Sequence, residues 1–275
     1  MTRVAVIGHV EWVHFARSTG PVVPGTILHL EGESWDEPGG GGGVAARALP
    51  GLGASPARFY TTLGDDEAGS ATEQVLVGEG VDVCAARRPA PQNRVLGVID
   101  PSGERTLFVL GANDHPTLDD PLPWDDLATF DAVFFTGEDP RTLVAARRAR
   151  VLVVTARRLP SLIASGVRAD VVIGSAGDPG EVFRDDDLPV RPGVIVRTES
   201  AAGGTFQLES GEQGRYRPVP LPGPAADTYG AGDVMMAALT LALGAGTPLE
   251  RSLAIAAEAA AAQLTRRGAE PPTRA

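Results

Sequence analysis

The segment Asp227-Thr228-Tyr229-Gly230-Ala231-Gly232-Asp233 sets small residues and a carboxylate at the mouth of an apolar run, Val234–Gly246. A helix starting near Ala231 leaves its first amides without internal partners. Those amides and the helix dipole attract an anion. Gly230, Ala231 and Gly232 let that anion approach the backbone, and Asp233 then stands beside it in the first turn. A carboxylate next to an anion makes chemical sense if it takes a proton from a hydroxyl that attacks phosphorus. Phosphoryl transfer needs positioning, charge neutralisation and an oriented nucleophile. A plainer reading stays open, in which Asp227 and Thr228 are loop residues and Asp233 merely favours the helix start.

The 275 residues carry a formal charge of −11, and 43% are hydrophobic, which predicts one large domain spanning 1–275 with a real core. The acidity counts against general nucleic-acid or membrane-surface partners. Cys84 is the only cysteine, so a disulfide framework and a thiolate metal cluster are excluded, and a cytoplasmic setting fits. The opening residues read as a strand and not as a signal peptide, and Val234–Gly246 is too short to span a bilayer. The chain contains no lysine. The glycines Gly39–Gly43 therefore cannot open a P-loop, whose lysine holds phosphates, and Schiff-base chemistry is excluded. His9, His14, His29 and His115 lack metal-ligand spacing. His9 and His14 read as surface residues, with a substrate contact near Glu11 as the alternative. Asp65-Asp66-Glu67 reads as a solvated helix start. Arg105 is either a phosphate contact or a plain surface residue.

Short apolar runs alternate with helical stretches. Val4–Gly8, Ala57–Gly64, Asp131–Gly137, Val151–Arg157, Asp170–Ser175 and Gly193–Glu199 suit buried parallel strands. The rhythm predicts an α/β fold. Residues 11–38 and 93–110 break it, the latter as two strands around the turn Asp100-Pro101-Ser102-Gly103, and together they suggest a small β lid. A later hairpin and an Ala-rich helix close the chain.

The run Asp227–Asp233 resembles the second signature of the PfkB (ribokinase-like) carbohydrate kinases, D-T-x-G-A-G-D, at every defined position. Pro38–Ala54 is similar to the family's first signature, Leu63–Gly69 to its G-x-D-x-x-G segment, and Gly111–His115 to the G-A-N after its lid. The resemblance covers nearly the whole chain. It implies a three-layer α/β/α sandwich with a mostly parallel sheet and a small β lid. It implies ATP-dependent phosphorylation of a sugar or sugar-like hydroxyl, with Mg2+ on the phosphates and K+ as a candidate activator; metal ligands stay unassigned. Asp233 would be the base, and the backbone amides of Gly230, Ala231, Gly232 and Asp233 the anion hole. Thr198, Ser200, Gly203, Asp227, Thr228 and Glu258 would serve the nucleotide. Glu11, Gly40, Gly41, Glu138 and Asp233 would face the acceptor. A homodimer through the lid is a further expectation.

The chain also departs from the family pattern. Val13 and Val44 replace polar sugar ligands, Ser175-Ala-Gly-Asp178 stands where N-x-x-E orders magnesium-bound water, and Ser200 replaces a glycine. Val13 and Val44 should then present apolar surface to an acceptor with few hydroxyls. Two rivals stay open: a nucleoside kinase of the same fold, and a kinase-like ligand-binding protein that has lost phosphotransfer.

Overall fold

The computed structural model describes residues 1–273. Val4–Ile7 has no polar side chain to keep in water, and it forms β1, buried along its whole length. Next come β2 (Glu11–Ser18), β3 (Leu30–Gly39), α1 (Gly40–Gly51), β4 (Ala57–Gly64), α2 (Glu67–Gly78) and β5 (Asp82–Arg88). A hairpin of β6 (Arg94–Ile99) and β7 (Arg105–Leu110) precedes β8 (Ala132–Phe135), α3 (Pro140–Ala146), β9 (Val151–Thr155), α4 (Leu159–Ser165) and β10 (Val171–Ser175). The chain then runs through β11 (Val194–Thr198), β12 (Gly204–Leu208), β13 (Gln213–Tyr216), α5 (Ala231–Gly244) and α6 (Leu249–Gln263).

The main sheet has the order β13-β12-β11-β10-β9-β8-β1-β4-β5. From β11 to β5 every pairing is parallel, while β12 and β13 close one edge antiparallel. Side chains alternate across a strand, and each central strand divides its residues between two cores. Val4, Val6, Phe134 and Val153 join one core; Ala5, Ile7, Val133, Phe135, Leu152 and Val154 join the other. Helices α1, α5 and α6 cover the first, α3 and α4 the second. Val234–Thr240 of α5 are all buried. That unbroken apolar stretch follows from its place between the sheet and α6. Among the described residues, no helix is long and apolar enough to cross a membrane.

The segments 11–38 and 93–110 hold the second sheet, in the order β3-β2-β6-β7. Its hairpin turn closes on Asp100, whose carboxylate accepts from the Ser102 amide at 2.8 Å, with Gly103 at φ +86°. All six residues of edge strand β7 are exposed. Arg47 on α1 anchors the small sheet's root. It is 4% exposed, pairs with both oxygens of Glu79 at 2.7 Å, and donates to Glu37 and to the Pro38 carbonyl.

Candidate active site

The site forms at the carboxyl ends of the central strands, where β1 meets the start of α1. Backbone packs on backbone there. A Cβ at Gly8 would lie 2.4 Å from Thr136 Cγ2, and one at Gly42 would lie 2.6 Å from the His9 carbonyl oxygen. A Cβ at Gly41 would stand 3.1 Å from Asp233 Oδ1, so the carboxylate lies directly over that glycine. Gly40 has φ +76°, and a Cβ on it would meet the His9 ring at 3.0 Å and Glu11 Cγ at 3.2 Å. The two glycine stretches of the sequence thus meet at one point, with Glu11 between them and 6% exposed.

Tyr229 ties the halves together. Its hydroxyl oxygen accepts the Gly40 amide at 2.9 Å, and its ring packs edge-on against Phe15. It occupies the undefined position of the D-T-x-G-A-G-D pattern, so the pattern gave no cue to this role. A Cβ on Gly39 would come 2.3 Å from the Tyr229 hydroxyl.

Helix α5 opens on Gly230 in the left-handed conformation, φ +73°, with no side chain capping its amides. Gly232 is exposed, with nothing within 4 Å of where its Cβ would be. The first-turn amides can therefore receive an anion. Burial, reinforced by the Glu181 and Glu11 carboxylates, pushes Asp233 up to about 7, against the pull of Arg105 and Arg157. A carboxylate with that value is matched to proton transfer near neutrality.

The other expected residues fall around this centre. Asp227 is 2% exposed and accepts from the Tyr229 amide at 2.8 Å and the Gly268 amide at 2.7 Å. It braces the loop from beneath, and burial holds its carboxyl above the usual range. Its neighbour in the C-terminal segment, Ala269, donates its amide to Glu37 of β3 at 2.9 Å. Thr228 accepts from Arg105 at 2.5 Å, which brings the small sheet's arginine over the Tyr229 ring. Arg105 thus faces the site. Thr198 ends β11, and its carbonyl accepts from the Ala176 amide at 2.9 Å. Ser200 has φ 50° and Gly203 φ +82°, where a Cβ would strike the Tyr216 carbonyl oxygen at 2.4 Å. Glu258 lies on α6, about half-exposed and 3.7 Å from Arg251. Glu138 is also exposed and is paired with Arg158 at 2.6 Å.

Three expectations need correction. Val13 and Val44 are 0% and 1% exposed and belong to the core, so they present no apolar surface to a pocket. The backbone explains this. A Cβ at Gly39 would meet Val13 Cγ2 at 2.5 Å and one at Gly230 would meet Val44 Cγ1 at 2.8 Å. These valines fill the space behind the glycines. His9 is not a surface residue but 7% exposed, in edge-to-face contact with His115 at 4.7 Å. Nothing in the local sequence announces that pair, because only the tertiary fold joins the end of β1 to the segment after β7.

Glu181 also escaped the sequence reading. Asp178, at the motif position, is taken by Arg157 at 2.5 Å. The chain then turns back, and Glu181 accepts from the Ser175 amide at 2.8 Å while facing Arg157 at 3.1 Å. Among the described residues, no three His, Cys, Asp or Glu side chains gather to hold a metal ion.

A large, mostly parallel sheet with an uncapped, glycine-lined helix start and a partly buried carboxylate at its carboxyl end is an α/β geometry that can receive a phosphate group. The chain belongs to the pfkB family carbohydrate kinases, whose family model matches residues 1–169 and 193–275. Solved structures agree on the fold. A putative ribokinase from Agrobacterium tumefaciens superposes with a TM-score of 0.80 at 20% identity, over 99% of this chain and 94% of that one. Arabidopsis thaliana ribokinase, complexed with ribose and ATP, gives 0.74 at 18% identity, over 98% and 96%. A nucleoside kinase from Methanocaldococcus jannaschii gives 0.72 at 15%, over 98% and 93%. No curated protein matches the chain by sequence.

Proposed function

We propose that this protein transfers the terminal phosphoryl group of ATP to a hydroxyl of a sugar or sugar-like molecule. The observation that carries the reading is Asp233, raised to about 7 and lying over Gly41 at the open start of α5. Asp233 takes the proton of the acceptor hydroxyl as its oxygen bonds to phosphorus and the bond to the ADP oxygen breaks. The amides of Ala231, Gly232 and Asp233 receive the charge that develops on the transferred group. Arg105, reaching from β7 to Thr228, adds a cation to the same face. Glu181 and Asp178, which share Arg157, would hold water on a Mg2+ carried with the nucleotide, and that ion would supply neutralisation of phosphate charge. Thr198, Ser200 and Gly203 line the turn after β11, where the resemblance puts nucleotide phosphates.

Cytoplasmic location belongs to this reading and agrees with the single cysteine, Cys84. So does a second copy pairing along β7, where Leu107, Phe108, Val109 and Leu110 are 39–61% exposed on an open sheet edge. Sedimentation of Phe108→Asp against wild type tests that contact, and an unchanged mass removes it. The catalytic reading is tested by ADP release over unphosphorylated sugars and nucleosides, wild type against Asp233→Asn. Equal turnover in both would overturn it, and absence of acceptor-dependent turnover would favour the rival without phosphotransfer.

A further inference from the structure

Two arginines share the inner face of the small sheet. Arg17 of β2, Ile99 of β6 and Arg105 of β7 stand opposite one another in register, and residues so paired point to one side of a sheet. Ile99 is 0% exposed and joins the core that holds Phe15 and Tyr229, so that side is the one turned toward the site. The neighbouring row agrees: a Cβ on Gly97 would meet the Phe15 ring at 2.7 Å and Leu107 at 3.4 Å. Arg17 and Arg105 therefore flank Ile99 two strand spacings apart, about 10 Å between backbones. Two arginine side chains can close that gap around one bound group. The hairpin turn beside Arg105 sits on the loop ahead of the base, where a Cβ on Gly103 would lie 3.7 Å from the Ala226 carbonyl oxygen.

Neither cation is matched by an acid. Among the described residues Arg17 and Arg105 pair with no carboxylate, whereas Arg47, Arg58, Arg88, Arg157 and Arg158 each hold at least one. Arg105 spends one N–H on the Thr228 hydroxyl at 2.5 Å and lays its guanidinium 5.6 Å from the centre of the Tyr229 ring. Its other donors remain, and Thr228, accepting through its oxygen, keeps a hydroxyl proton to give. Both arginines pull against the burial that raises Asp227, but the oxygens of that carboxylate accept the Tyr229 and Gly268 amides. Arg105 also works against the burial that raises Asp233, so its charge reaches the base. In a chain of formal charge −11, two inward cations without an acid favour an anion from outside. A guanidinium fork matches the paired oxygens of a phosphate or carboxylate.

Position decides which reactant brings that anion. The small sheet grows from the end of β1, whereas Thr198 ends β11, four strands along the main sheet and about 19 Å away by strand spacing. Glu11 shares the inner face of β2 with Arg17. An anion under this sheet thus belongs to the acceptor before the nucleotide. Resting on the kinase reading above, we propose that Arg17 and Arg105 form an anion subsite at the tip of the small sheet, and that the acceptor is a sugar derivative already carrying a phosphate or carboxylate. Arg17 and Arg105 act as specificity residues, and Thr228 positions the Arg105 fork.

Binding, measured apart from turnover, tests this. Calorimetry on wild type without ATP compares D-fructose 6-phosphate, D-ribose 5-phosphate and D-gluconate with D-fructose, D-ribose and D-glucitol. At least one acidic probe should bind roughly tenfold or more tightly than its uncharged counterpart, and added salt should narrow the gap. Arg17→Gln and Arg105→Gln should each weaken that acidic probe roughly tenfold or more, and leave the uncharged counterpart and ADP unchanged. Arg105→Lys should recover part of the loss, since it returns the charge without the fork. Arg105 is exposed, so its variants report even if Arg17→Gln does not fold. Equal affinity for acidic and uncharged probes, or an acidic probe indifferent to Arg105→Gln, would overturn the proposal. Weaker binding of ADP or a non-hydrolysable ATP analogue, with the acidic probe unchanged, would give the arginines to the nucleotide and overturn it as well. With ATP added, an acidic probe that binds through the arginines yet releases no ADP would remove the kinase reading and leave the subsite standing.

Discussion

At the scale of single residues, Asp233 sets the pH behaviour. The rate should climb as pH rises through about 7 and level off above it, because only the ionised carboxylate accepts a proton. Asp233→Asn should lower turnover by about 10²–10⁴-fold, the usual worth of a general base, and leave ADP binding intact in calorimetry. Stability should move the other way. The folded state holds this proton more tightly than the unfolded chain, so Asp233 costs stability as pH rises from about 4 to about 7. The asparagine variant should exceed wild type by about 2 kcal/mol or more at pH 8 and by nothing near pH 4, read from urea midpoints. A gap that widened on acidification would refute the assignment. Asp233 and its loop were legible because D-T-Y-G-A-G-D is contiguous and its chemistry is local. His9, His115, Arg158 and Glu181 were not, because each acquires its role from a neighbour distant in sequence or from a turn the motif does not contain.

At the scale of elements, the glycines at the start of α1 are a packing requirement before they are a binding feature. Gly39→Ala would drive a methyl group into the Tyr229 hydroxyl and Val13. It should destabilise by about 1–3 kcal/mol and slow turnover with little change in ADP affinity, in denaturation and steady-state assays. Arg47→Ala should cost about 3–5 kcal/mol, since Glu79 and Glu37 would be left around an empty site. Arg47→Met keeps the apolar stem and should cost less, and equal losses would show that charge pairing rather than packing sets the cost. The parallel strands were readable as apolar runs of four to eight residues, and the hairpin β6–β7 from Asp100-Pro101-Ser102-Gly103. The burial of Val13 and Val44 was not readable, because alternation says which face a residue takes and not what lies behind it.

At the scale of the whole molecule, the small sheet stands over the site with Arg105 reaching inward, while the β7 residues that follow it remain open to solvent. Acceptor and nucleotide together should slow hydrogen exchange across 105–110 and leave β1 unchanged; equal exchange with and without ligands would show that this edge does not close. The pin between Asp227 and Gly268 bears on how the polypeptide can be handled. Gly268 holds the base's loop and Ala269 holds β3, while the Pro272 carbonyl lies where a Cβ on Gly51 would be. Trimming the chain after Arg267 would remove no group that does chemistry, yet it would unfasten the loop carrying Asp233 from below. Such a shortened protein should still bind ADP and turn over slowly, so an affinity handle or surface tether belongs at the Met1 end.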